Sequence, residues 1–298
     1  MNEKQYSRIE QLSAEQRQHV IRNLKTRLLN SNEVELGPRE GRTAPVPLSY
    51  AQHRLWTFQQ IHPESRAYNE FTAFRFEGRL KLDVLEQSLD SIVERHEALR
   101  SRFQEKNGLP IQVTVSDTSA NLKVIDLTDI PATKKLSQVK SIADQESNHL
   151  FQLDCEPPLR LTLVRLADDQ NFLLVAAHHL ILDGWSIDIF RRELALLYCA
   201  IDEGQPSPLP DLPIQYADYA VWQRGWLAGH ELQRQLSYWE EQLSGAPALL
   251  SLPTDHARPA VQSFNGAHIN RTYSPELGEK LRALAGAEDC TLFMLLLA

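Results

Sequence analysis

Apolar and polar positions alternate with two different periods along this chain, and the changes of period mark out strands and helices. Phe74 and Phe76 alternate with Arg75 and Glu77, and Leu159, Leu161 and Leu163 alternate with Arg160 and Thr162. Ile111, Val113 and Val115 follow the Asn107-Gly108 turn in the same rhythm. A period of two predicts strands with one face buried. Phe172 to Ala177 is apolar at every position, as in a buried strand, and Asp168-Asp169 turns the Leu159 strand back into it to make a hairpin. Helical spacing takes over at Leu82, Leu85, Leu89, Ile92 and Val93, and again at Ile187, Phe190, Leu194 and Leu197, where Ser186 is placed to cap the helix. A capping box at Ser13 to Gln16 starts a further amphipathic helix with Val20, Ile21, Leu24 and Leu28 on one face. Helices are also predicted over Ser141 to Leu150 and Trp226 to Gln242, while Asn30 to Val46 reads as a linker. Pro206 to Pro213 ends the helix before it, and the prolines of LPTDHARPA impose an extended path. Strands and helices intermingle, which predicts a two-layer α/β lobe.

Composition narrows the picture. With 298 residues, 42% of them hydrophobic, the chain has enough apolar material for one large or two ordinary cores. A formal net charge of −8 argues against a nucleic-acid surface, which needs a basic patch, and the pair Lys134-Lys135 reads as solvated. Cys155, Cys199 and Cys290 are far apart and form no CxxC pair, so neither zinc binding nor thiol exchange is indicated, and a reducing cytoplasm fits. No apolar signal segment opens the chain, and the longest apolar run, Leu292 to Leu297, is far too short to span a membrane.

Candidate chemistry lies in HHLILDGWS, at the end of the apolar strand. His178 and His179 are adjacent, and neighbouring side chains on a strand point to opposite faces, so only one imidazole can face a given cavity while the other is buried behind it. An imidazole at the mouth of a cleft can move protons near neutral pH. Asp183 either binds a histidine or pairs with a cation that holds the loop, and Gly184 gives the backbone freedom to turn and leaves room for a substrate.

Four stretches occur in a fixed order: LSYAQHRLW at Leu48 to Trp56, RHEALRSRF at Arg95 to Phe103, HHLILDGWS, and YADYAVWQR at Tyr216 to Arg224. Together they resemble the condensation domains of nonribosomal peptide synthetases, in the chloramphenicol acetyltransferase-like superfamily, and the resemblance runs from Val46 to the end. It implies a chloramphenicol acetyltransferase-like α/β lobe with only the start of a second similar lobe. The implied parts are an N-terminal helix and linker at 1–45, the first lobe at 46–225, and the inter-lobe connection with a truncated second lobe at 226–298.

The resemblance also implies a reaction. An amide forms between a donor acyl or peptidyl thioester and an acceptor aminoacyl thioester, both carried on phosphopantetheine arms of carrier proteins upstream and downstream, with an adenylation domain in the parent synthetase. No cofactor or metal bound by this chain is implied. His179 takes the main catalytic role, either as base or as the group that positions the amine, and His178 supports the loop. Asp183 pairs with an arginine, for which Arg54 is the candidate, and a side chain at Gly184 would crowd the cleft. Trp185 and Ser186 complete the signature. His96 and Arg95 read as anchors of a helix end, Tyr216, Asp218, Tyr219 and Trp222 as an aromatic packing cluster, and His53 as having no catalytic role. The chain departs from the family pattern at Phe151-Gln152-Leu153-Asp154 and at Glu156-Pro157-Pro158-Leu159, where an F-D-L and a Gly-Pro-Leu stretch are usual. Tyr68-Asn69-Glu70 is similar to members that accept polyketide or fatty acyl donors. The alternatives are an inactive remnant, a carrier-binding module, or a stand-alone acyltransferase using coenzyme A.

Overall fold

The computed structural model describes residues 35–264, 266, 269 and 271–298; the helix expected from Ser13 to Leu28 lies outside them. The chain divides into two compact units, one ending at Thr254 and the other running from Asp255 to Ala298.

The first unit is built around a mixed sheet of order β2-β7-β6-β5, with β2 at Asn69–Glu77, β5 at Lys123–Asp126, β6 at Leu159–Ala167 and β7 at Gln170–His178. The β6–β7 hairpin turns at Asp168-Asp169, as the turn residues predict, and a register shift between Arg165 and Ala167 makes a bulge there. The bulged backbone leaves the Leu166 carbonyl free of the ladder, and Lys135 Nζ donates to it and to the Thr128 carbonyl. Lys135 is therefore tied to the fold and is not a purely solvated charge.

Strand β7 lies inside the sheet, flanked by β2 and β6, and Leu173 to Ala177 are buried on both faces. On one face Leu173, Val175 and Ala177 join Leu161 and Leu163 of β6 against two helices, α2 at Leu82–Arg95 and α4 at Gly184–Asp202. Leu85, Leu89, Ile92, Phe190, Leu194 and Leu197 form the helical side of this core. On the other face Val164 and Leu174 meet Val139, Ile142 and Ala143 of α3, at Ala132–Ser147. Each large aliphatic side chain buried in this way stabilises the fold by about 1.5–3 kcal/mol. Helices thus cover both faces of the sheet, so a third layer joins the two expected from sequence.

A smaller sheet, of order β1-β4-β3, combines β1 at Val46–Pro47, β3 at Ser101–Lys106 and β4 at Leu109–Thr114. Asn107 and Gly108 both adopt positive φ, the conformation that a two-residue hairpin turn demands. The face of β4 is the reverse of the one expected. Pro110, Gln112 and Thr114 are the buried positions, while Ile111 and Val113 are half-buried. Gln112 Nε2 donates to the Pro47 carbonyl and to Gln52 Oε1, and these internal partners make the burial of an amide tolerable.

Helix α1, at Tyr50–Ile61, starts with a capping box made by Ser49 and Gln52. The helix predicted from Trp226 to Gln242 starts later, as α6 at Gly229–Gln242, where Gly229 adopts φ +53°, and Trp226 instead ends a separate helix, α5 at Tyr216–Trp226. Helix α4 starts at Gly184, capped by Asp183; Ser186 lies inside its first turn and is not the cap. The stretch from 35 to 45 has no regular structure, yet Arg39 within it is buried against Glu97 and Asp218.

In the second unit, Ser274 caps helix α7 at Pro275–Ala287, and Thr291 caps α8 at Leu292–Leu297, the apolar segment expected to be helical.

Candidate active site

The two histidines separate as strand alternation requires. His178 closes β7 opposite Asn69, 2% exposed and edge to face with Phe151, which is clustered with Leu48, Phe103 and Leu153. The Leu180 backbone N–H donates to His178 Nδ1 at 3.1 Å, so the proton of the neutral ring resides on Nε2. That nitrogen has no hydrogen-bond partner among the described residues. Burial, and then the neighbouring His179, push the His178 pKa down to about 4, so the ring is neutral at physiological pH.

His179 faces the other way. Its backbone N–H donates to the Tyr68 carbonyl at 2.8 Å, extending the β2 pairing one residue past the ladder, and the two rings approach edge to face. Its side chain is 36% exposed, and Nε2 lies 3.4 Å from Glu70 Oε1, a carboxylate of β2. Buried Leu180 and Leu182 pin the loop that follows.

His179, Asp183 and Ser186 line a cavity of about 230 Å³ together with Arg54 and Leu55 of α1, Tyr68, and Tyr216 at the start of α5. Ser186 donates to Asp183 Oδ1 from its backbone N–H at 2.8 Å and from its hydroxyl at 2.6 Å. These two bonds hold the carboxyl below the usual carboxylate range. Asp183 is exposed rather than buried, and it pairs with Ser186, not with Arg54 as expected. Arg54 shares the cavity without forming an ion pair to Asp183. A Cβ at Gly184 would meet nothing of this chain within 4 Å, so the expected crowding has no source in the protein itself. Trp185 points outward, 79% exposed, and neither it nor Gly184 lines the cavity.

Three residues of the site escape the sequence reading. Gln52 is 2% exposed and its Nε2 donates to the Leu180 carbonyl at 3.2 Å, so a polar chain runs from β4 through Gln112 and Gln52 to the loop after His179. Tyr216, read as part of an aromatic cluster, does begin a ladder through Tyr219, Trp222 and Trp226, but it also walls the cavity, and its hydroxyl lies 3.1 Å from Ser49 Oγ. Burial raises its pKa. Glu70 is the third: the sequence reading takes Tyr68-Asn69-Glu70 only as a likeness in donor type and gives Glu70 no contact with His179.

The remaining motif residues have structural partners. His96 Nε2 lies 2.6 Å from Glu193 Oε2, Arg95 Nε 3.4 Å from Glu193 Oε1, and together they fasten α2 to α4. His53 Nδ1 meets an Arg224 Nη nitrogen at 3.2 Å. Cys155 and Cys199 are exposed and Cys290 is half-buried, all as free thiols. Phe151 and Leu153 of the departing stretch are buried in the cluster behind His178. No group of histidine, cysteine and acidic residues suited to a metal ion occurs among the described residues, and none of their helices is long and apolar enough to cross a membrane.

The family model of the condensation domain matches residues 43–298. The chain is 44% identical over 269 residues to a linear gramicidin synthase of Brevibacillus parabrevis, covering 90% of this chain and 5% of that protein. It is 35% identical over 291 residues to the phosphinothricin tripeptide synthetase PhsC of Streptomyces viridochromogenes, covering 98% and 27%. The chain therefore spans a small part of the length of these relatives. Among solved structures, the X-domain in complex with OxyB from teicoplanin biosynthesis superposes with a TM-score of 0.71 at 26% identity, over 87% of this chain and 56% of that one. The first condensation domain of the calcium-dependent antibiotic synthetase, with a substrate analogue, gives 0.69 at 24% identity, over 84% and 58%, a likeness of fold.

Proposed function

The chain belongs to the condensation domain family, and from that premise we propose that it joins a donor acyl or peptidyl thioester to the amine of an acceptor aminoacyl thioester. The new C–N bond forms as the donor C–S bond breaks, and the proton lost by the amine ends on the departing thiolate. The observation that carries this reading is that one imidazole of the pair, His179, opens onto a cavity at the end of a buried strand.

In this reading His179 Nε2 stands beside the attacking nitrogen, where it takes the proton or holds the amine in line. Glu70, 3.4 Å away, gives countercharge to the imidazolium when the proton is on the ring. His178, kept neutral, fixes the backbone that presents its neighbour, because its Nδ1 holds the Leu180 N–H. Asp183 and Ser186 set the start of α4 beneath the cavity, Gly184 and Trp185 complete that first turn, and Arg54 supplies a cation on the facing wall.

Both substrates arrive on phosphopantetheine arms of upstream and downstream carrier proteins in a synthetase that also contains an adenylation domain, in the cytoplasm. The chain contributes no cofactor of its own, since a thioester is already an activated acyl donor. In this reading residues 46–225 form the lobe that carries the site, and 226–298 the connection to and start of a second lobe. Supporting the assignment, both sheets and every residue lining the His179 cavity fall within 46–225.

The test is amide formation by the intact synthetase with both carriers loaded. His179→Ala is expected to lower the rate by about 10²–10⁴-fold without changing carrier loading, and an unchanged rate refutes the assignment. His179→Gln, which donates a hydrogen bond but moves no proton, separates the two roles: a rate near that of the parent means positioning, a rate near that of Ala means base catalysis.

A further inference from the structure

A second cavity, of about 170 Å³, adjoins the one at His179. Ile181, Leu182, Ser186 and Tyr216 line both. Its remaining walls come from α2, the turn that follows it and α4: Ile92, His96, Ala98, Leu99, Ile189 and Phe190.

The chemistry of these walls is selective. The polar side chains among them are His96, Ser186 and Tyr216, and each is already engaged within the protein. His96 Nε2 is held by Glu193 at 2.6 Å, the Ser186 hydroxyl donates to Asp183 at 2.6 Å, and the Tyr216 hydroxyl lies 3.1 Å from Ser49 Oγ. A polar ligand group placed here would lose water among walls that are mostly apolar and whose polar groups already bond within the protein, whereas a hydrocarbon group gains by leaving water. Size sets a second condition. A cavity of about 150 Å³ lined by Leu, Ile and Phe has room for benzene, so this one, of about 170 Å³, has room for a phenyl or branched aliphatic group.

We propose that this cavity is a side-chain subsite, which takes the branched or aromatic hydrocarbon group of the thioester-bound substrate reacting beside His179 and so sets substrate preference. The inference rests on the reading of the His179 cavity as the place of reaction. Two sources of such a group exist, the donor and the acceptor aminoacyl moieties, and they share the same chemistry.

The test measures equilibrium binding to the intact protein of N-acetylcysteamine thioesters in two arms. N-acetyl-leucyl, N-acetyl-phenylalanyl and N-acetyl-glycyl thioesters stand for donors; the same aminoacyl thioesters with a free amine stand for acceptors. In one arm the leucyl or phenylalanyl probe is expected to bind at least about tenfold tighter than the glycyl probe, the range that apolar pockets give for missing methylenes. Ala98→Phe, which fills the cavity, should abolish that preference. Ile189→Ala, which enlarges it, should shift the preference from leucyl toward phenylalanyl. His179→Ala should lose turnover yet keep the preference, so failure of the catalytic reading and failure of the subsite are read separately. Equal affinities for glycyl, leucyl and phenylalanyl probes in both arms overturn the proposal, as does an unaltered preference in folded Ala98→Phe. Should Ala98→Phe not fold, the leucyl-to-phenylalanyl ratio of Ile189→Ala decides, and an unchanged ratio counts against the subsite.

Discussion

His178 loses most of its basicity to its surroundings, and this has a measurable cost in acid. An ordinary histidine in the unfolded chain has a pKa of 6.5, and the folded ring is pushed down to about 4. Above pH 6.5 both states are neutral and the stabilisation is complete; as pH falls from 6.5 toward 4, the unfolded chain binds a proton that the folded one refuses. Stability should therefore fall over that window by about 3 kcal/mol. Urea unfolding at several pH values checks this, with His178→Gln as the reference, since glutamine does not titrate and the carboxylates contribute equally to both curves. A wild-type curve that parallels the variant between pH 7 and 4 refutes it. At this scale the different surroundings of His178 and His179, one buried and one facing a cavity, were legible because side-chain alternation on a strand is a local rule. Gln52, Tyr216 and Glu70 were not, because their roles depend on groups far away in the chain, such as the Leu180 carbonyl for Gln52 and the Ser49 hydroxyl for Tyr216.

At the scale of elements, Asp183 is the residue whose role changed most between sequence and structure. The resemblance gave it an arginine partner, but its geometry is that of a helix cap, two bonds from Ser186 at the start of α4. Asp183→Ala should cost about 1 kcal/mol of stability through the lost cap, within a range of about 0.5–2 kcal/mol. Arg54→Ala should stay within about 0.5 kcal/mol of the parent, as is usual for exposed positions without a buried partner. Comparable losses for the two variants would restore the ion pair in place of the cap. The hairpin and the main helices were legible because a period of two or of 3.6 records which face is buried. Strand β4 shows where that logic stops, for its inward face carries Gln112 and Thr114, and only the partners across the interior make an amide acceptable there. The start of α6 differs from the expected one, at Gly229 instead of Trp226, for a different reason. Leu227 and Ala228 are good helix formers, and the positive φ of Gly229 is a conformation that glycine permits without demanding.

At the scale of the whole first unit, a short irregular stretch before the lobe is fastened to it by charge. Arg39 reaches Glu97 from one Nη and Asp218 from the other, both at 2.7 Å, so one guanidinium joins the start of the described chain to the turn after α2 and to α5. Burial opposes the guanidinium charge, yet hydrogen bonds to both carboxylates outweigh it and raise its pKa; Asp218 in turn is held low against its own burial. Arg39→Met would leave two buried carboxylates facing each other and should destabilise the fold by about 3–5 kcal/mol, read by thermal or urea unfolding. A loss below about 1 kcal/mol would mean that Arg42, which also reaches both acids, suffices. The central sheet carries a consequence in time. Its strand β2 is joined to β7, and the intervening chain from Glu77 to Gln170 must be made before that union is possible. At the pace of protein synthesis this leaves the edge of β2 without its eventual neighbour for roughly 5–20 s. The strand that ends in His178 is the one that relieves it, so the nascent chain remains open to stray pairing until the histidines themselves have emerged.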